Sequence, residues 1–181
     1  MTEQEIEKLR SPIGPYIHPD IITKDIIEGY ISIISSLPGK LIREVDHLTL
    51  EQLDTRYRPE GWTIRQVVHH FADSHMHGFI RTKLVLTEEV PIVKPYFEQR
   101  WAELVDSTVM PIEPSLQIIS GIHSRWVILL KSLKEKDFQK TLFHPEQRKL
   151  IRLDYYIGSF AWHSNHHLAH ITELKKRKQW K

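Results

Sequence analysis

The chain has 181 residues, 40% of them hydrophobic and 27% charged, with a formal net charge of +2 and a pI near 8.7. That length sustains one hydrophobic core, so a single domain over residues 1–181 is expected. The charge balance is too even for a nucleic-acid footprint, and the absence of cysteine excludes disulfides, thiolate ligands and a cysteine nucleophile. No apolar run is long enough to span a bilayer, and MTEQEIEKLR lacks the charged-then-apolar build of a signal segment. A cytoplasmic protein without membrane association is the expectation.

Residues 1–22 contain Pro12, Gly14, Pro15 and Pro19 and read as an irregular lead-in. Thr23 is placed to cap a helix carrying Ile26, Ile27, Tyr30, Ile31, Ile34 and Leu37, which Pro38-Gly39 should end. Residues 40–60 read as shorter helical pieces, one opening on Thr49, and RPEGW at 58–62 as a turn. Thr63 and Gln66 have capping-box spacing and open a second long helix to about Leu86. Pro91 and Pro95 break the next stretch, where YFEQRWAELV reads as a short helix. After Pro111 and Pro114, Ser115 can start a third long helix through Ile118, Ile119, Ile122, Trp126, Leu129, Leu130 and Leu133. KTLFHPEQRKLIRL at 140–153 reads as a loop or small hairpin. Asp154 is placed to cap the last long helix, whose KKRK at 175–178 reads as a solvated, cationic C-terminal end. The expectation is an all-α four-helix bundle with short extra helices, a fold that builds metal sites between facing helices.

Eight of the 12 histidines fall in two clusters on predicted long helices: His69, His70, His75 and His77, then His163, His166, His167 and His170. On the last helix an apolar stripe runs through Phe160, Ile171 and Leu174. His167 falls on it and His163 on its edge, four residues apart, the spacing that lets two imidazoles meet one ion. His166 and His170 lie further round, His166 at the rim and His170 where it can line a cavity mouth. On the second helix the core stripe holds Ile64, Val67, Val68, Phe71 and His75. His75 there reads as a hydrogen-bonded core residue, His69 projects to the opposite side, and His70 lies on the flank. The candidate metal set is therefore His70, His163 and His167. Three neutral imidazoles suit zinc, nickel, iron or copper, with zinc first, and leave coordination positions open as in a catalytic site. Asp73, three residues after His70, and His170 are the candidates for assisting groups. Gln66, one turn before His70, can shuttle protons or stand as polar surface, and no catalytic base is assigned. Trp62 reads as a staple at a helix start, Trp126 as core, Trp101 and Tyr156 as packing, and Trp162 as facing a pocket edge or a dimer interface.

RPEGWTIRQVVHHFADSHMH together with WHSNHHLAHI resembles the DinB-like superfamily of metal-binding four-helix bundles, in particular its YfiT-type branch, provisionally named metal-dependent hydrolases. PIG at 12–14, LDTRYRPEGWT, TKLVLTEEVPIVKPY and LFHPEQ extend the likeness over roughly residues 12 to 174. The resemblance implies one divalent ion per chain at His70, His163 and His167. It also implies a homodimer and a small-molecule substrate attacked by activated water. His170 departs from the wider superfamily, where glutamine is common. Superfamily relatives also include enzymes that use bacillithiol, mycothiol or glutathione. Metal-dependent transfer to a low-molecular-weight thiol, and a non-catalytic binding protein, therefore stand as alternatives.

Overall fold

The computed structural model describes residues 1–180. Four long helices form the bundle: α2 (Lys24–Val45), α4 (Ile64–Thr87), α7 (Glu113–Lys131) and α9 (Leu153–Lys178). Round the bundle the order is α2, α9, α4, α7, so α2 and α4 stand diagonally, as do α7 and α9. Short helices fill the connections: α1 (Glu3–Arg10), α3 (Leu50–Leu53), α5 (Glu98–Trp101), α6 (Val105–Val109) and α8 (Glu135–Phe138). The 140–153 segment is a hairpin. Strand β1 (Thr141–His144) pairs antiparallel with β2 (Lys149–Arg152), Thr141 opposite Arg152 and His144 opposite Lys149. Among the described residues no helix is long and apolar enough to cross a membrane.

Several boundaries differ from the sequence expectation, each for a physical reason. The lead-in is not wholly irregular: Thr2 and Glu5 form a reciprocal capping box that opens α1. Pro38 does not end α2. A proline costs a helix interior about 3 kcal/mol, but Leu41 and Val45 beyond it are buried. Together they return roughly 3–6 kcal/mol, provided the helix continues in register. The YFEQRWAELV segment divides into α5 and the start of α6. Helix α7 begins at Glu113, two residues before Ser115, with Pro114 in its first turn, where a missing N–H costs nothing. Arg152, not Asp154, occupies the cap position of α9. The Asp154 carboxylate lies in the first turn, accepting from the Tyr155 amide at 2.6 Å.

The core is two apolar clusters. One gathers Ile31, Ile34, Trp126, Ile157 and Phe160; the other Leu37, Leu41, Val67, Phe71, Ile119 and Ile171. Three histidines lie between them: His75 on α4 between Ala72 and Phe79, His123 on α7 between Ile119 and Trp126, and His163 on α9 between Phe160 and Ile171. Just beside this layer, Gly78 lets α4 approach its neighbours closely. A Cβ there would come within 2.6 Å of the Trp126 ring and 2.7 Å of the Phe160 ring. Gly78→Ala should therefore lose about 1–3 kcal/mol to overpacking, despite alanine's better helix propensity. Urea unfolding checks this, and an unchanged or raised midpoint would refute it.

Candidate metal centre

Helices α4 and α9 run side by side. The capping box of Thr63 and Gln66 starts α4, and Arg65 locks that end by a two-point contact to Asp54 and a 2.7 Å bond to the Met110 carbonyl. Two turns on, His70 meets the α9 histidines. Its Nε2 lies 3.1 Å from Nε2 of His163, and its ring centroid 4.7 Å from that of His167. The His163 and His167 rings are 4.4 Å apart. One ring nitrogen from each of the three lies within 4.8 Å of the others. Ligands on a tetrahedral ion at 2.0–2.1 Å sit about 3.3 Å apart, so His70 and His163 already stand near ligand spacing.

The surroundings hold these rings neutral. His70 and His167 are buried and His163 is half-buried. Burial, reinforced by the neighbouring imidazoles, pushes the His70 pKa down to about 3 and those of His163 and His167 well below the usual histidine value. Neutral imidazole is the form that binds a metal. His167 Nδ1 is buried without a hydrogen-bond partner. An all-imidazole set with an unpartnered buried nitrogen fits a late first-row divalent ion.

Trp62 walls the site, a role not read from the sequence. Its ring lies 4.6 Å from His70 and stacks over His167 at 6.0 Å, and its Nε1 is buried without a partner. The signal was its position immediately before the α4 cap, eight residues ahead of His70. Phe71 packs edge-on against His163 and His167.

The other singled-out residues have definite places. Gln66 is spent on structure: its Oε1 accepts from the Thr63 amide and its Nε2 donates to the Ala102 carbonyl at 2.6 Å. The Asp73 carboxylate makes no hydrogen bond to His70 among the described residues. Burial, then the Asp106 charge, raises its pKa to about 6. His69, opposite His70, bonds Ser115 Oγ at 2.8 Å and the Met110 carbonyl at 3.3 Å. His170 is buried, stacks on Tyr57 at 3.9 Å and donates from Nε2 to the Arg10 carbonyl at 3.1 Å. It borders a cavity of 380 Å³ shared with Lys8, Tyr57, Glu173 and Arg177. His166, His167 and His170 form a second convergent group, with Nδ1 of each buried and unpartnered. Trp162 stacks on His166 and donates to the Gly14 carbonyl at 3.0 Å, pinning the lead-in to α9. A separate cavity of 420 Å³, lined by Ile27, Ile31, Leu130 and Phe138, has no histidine in its wall.

Comparison with known proteins agrees with this architecture. A relative from Bacillus mycoides, provisionally named a metal-dependent hydrolase, is 48% identical over 175 residues, 97% of this chain and 100% of that protein. YfiT from Bacillus subtilis, named in the same way, is 45% identical over 172 residues, 95% of this chain and 97% of its own. The solved YfiT structure, described as an unusual four-helix bundle topology, superposes with a TM-score of 0.93 at 44% identity, covering 96% of this chain and 99% of that one. A mycothiol-dependent maleylpyruvate isomerase shares the fold alone, with a TM-score of 0.59 at 15% identity over 82% of this chain and 60% of its own. The sequence profile of the DinB superfamily matches residues 36–171, and the chain belongs to that superfamily.

Proposed function

We propose that the protein is a metal-dependent hydrolase of small-molecule substrates, with one divalent ion, zinc or else nickel, held by His70, His163 and His167. The observation that carries this reading is the meeting of three neutral imidazoles from two helices within 4.8 Å. The metal-dependent hydrolase names of relatives at 45–48% identity support it. A divalent ion with open positions supplies Lewis acidity, lowering the pKa of a water from about 15.7 towards about 7 and polarising a carbonyl. The chain's own part is to bind and orient. His70 comes from α4 and His163 and His167 from α9, while Trp62 and Phe71 hold the rings and exclude water from their flanks.

Elemental analysis of the purified protein tests the site. About one ion per chain, lost in His70→Ala, His163→Ala and His167→Ala, is the expected result, and full retention in all three would sink the assignment. Ester and amide turnover by the metal-loaded protein tests the chemistry. Since the chain has no cysteine, turnover that appears only with added bacillithiol or glutathione would assign it to thiol transfer instead.

A further inference from the structure

We infer that Ile34, His123 and His75 form a buried polar relay that fixes the tautomer of His163 and keeps its Nε2 unprotonated, turned towards His70. The relay takes one residue from each long helix. On α2, Pro38 has no N–H to donate to the carbonyl four residues before it, and that carbonyl is Ile34's. His123 Nδ1 on α7 lies 2.6 Å from this oxygen. His123 Nε2 lies 2.8 Å from His75 Nδ1 on α4, and His75 Nε2 lies 3.3 Å from His163 Nδ1 on α9. His75 and His123 are 0% and 2% exposed.

The direction of every bond follows from the first. A carbonyl only accepts, so His123 Nδ1 carries a proton and donates it. In a neutral imidazole the other nitrogen is then an acceptor. His75 Nδ1 must therefore donate to His123, His75 Nε2 must accept, and His163 Nδ1 must donate to it. That leaves His163 Nε2 with a lone pair, 3.1 Å from His70 Nε2. Among the described residues no carboxylate hydrogen-bonds any of these three rings, so nothing compensates a charge on the buried His123 and His75. Metal-binding histidines are ordinarily oriented by a carboxylate or carbonyl on the far nitrogen. Here the carbonyl acts from two imidazoles away, and His75 and His123 are positioning residues.

The inference rests on the proposed metal centre for its consequence, but the relay can be read without metal. Nitrogen-15 correlation spectra of the metal-free wild type, assigned with single-histidine variants, should show Nδ1–H and pyridine-type Nε2 at His123, His75 and His163. Free histidine in water favours the reverse, and Nε2–H at His75 or His163 would overturn the relay. His123→Leu removes both the donor to Ile34 and the acceptor for His75. Zinc affinity, measured against a competing chelator, should fall about 10–100-fold. His123→Gln keeps a donor and an acceptor and should recover most of that loss. Unchanged affinity in His123→Leu, or equal losses in both variants, would refute the positioning role. Zinc retained by His163→Ala would sink the metal centre and leave the metal-free tautomer result standing on its own.

Discussion

Metal-free protein acidified from pH 7 should unfold cooperatively before pH 4, driven by its buried histidines. Burial pushes the pKa values of His123 and His170 down to about 4 in the fold, against about 6.5 for an exposed imidazole. The sign is fixed by linkage: a folded pKa below the unfolded one means that the unfolded chain binds more protons, so stability falls as pH drops. The loss begins near 6.5 and is complete for each group only below about 4. Each of these two histidines contributes on the order of 3 kcal/mol by this route. His69 and His75, also shifted down by burial, act in the same direction. Asp73 opposes them. Its pKa is raised to about 6, so protonating it as the pH falls relieves a cost rather than adding one. One carboxyl does not offset several histidines, and a domain of this size has only about 5–15 kcal/mol to lose. Circular dichroism and tryptophan fluorescence against pH check this. A native signal persisting at pH 4 without metal would refute it.

How much of this was legible in the sequence depends on which distances local periodicity controls. The bundle, the Thr63 cap and the pairing of His163 with His167 follow from helical spacing within one element. His75 as a hydrogen-bonded core residue also follows, because an imidazole on an apolar stripe must find partners. The order of helices round the bundle does not follow. It is set by which faces meet, and only that meeting brings His70 to α9 and His123 to His75. His123 stood alone on its helix, outside both clusters, and carried no local signal. Pro38 was misread because its local rule, that proline stops a helix, was outweighed by the burial of Leu41 and Val45 beyond it. The same proline frees the carbonyl that anchors the relay, a consequence visible only once α7 is seen against α2. Trp62 was read for its effect on its own helix, and its place over the site appears only with α9 in position.

Zinc in excess should raise the melting temperature of the wild type, and this separates the two histidine groups that share His167. An ion that binds only the folded state at about a thousand times its dissociation constant adds roughly 4 kcal/mol. For a chain of this length that corresponds to about 8–16 °C. The ion would tie α4 to α9, and the rings need little ordering to receive it, since His70 and His163 already stand 3.1 Å apart. His70→Ala and His163→Ala should abolish the shift. His166→Ala and His170→Ala should preserve most of it, because they belong to the second group, which shares only His167 with the first. His167→Ala should abolish it in either case and so cannot discriminate. The reverse pattern, with the shift lost in His166→Ala and His170→Ala but kept in His70→Ala, would move the metal centre to the second group. His170 favours the first outcome on physical grounds. Its Nε2 is committed to the Arg10 carbonyl and its ring face to Tyr57, and the charge of Arg58 reaches it, which opposes a second positive charge there.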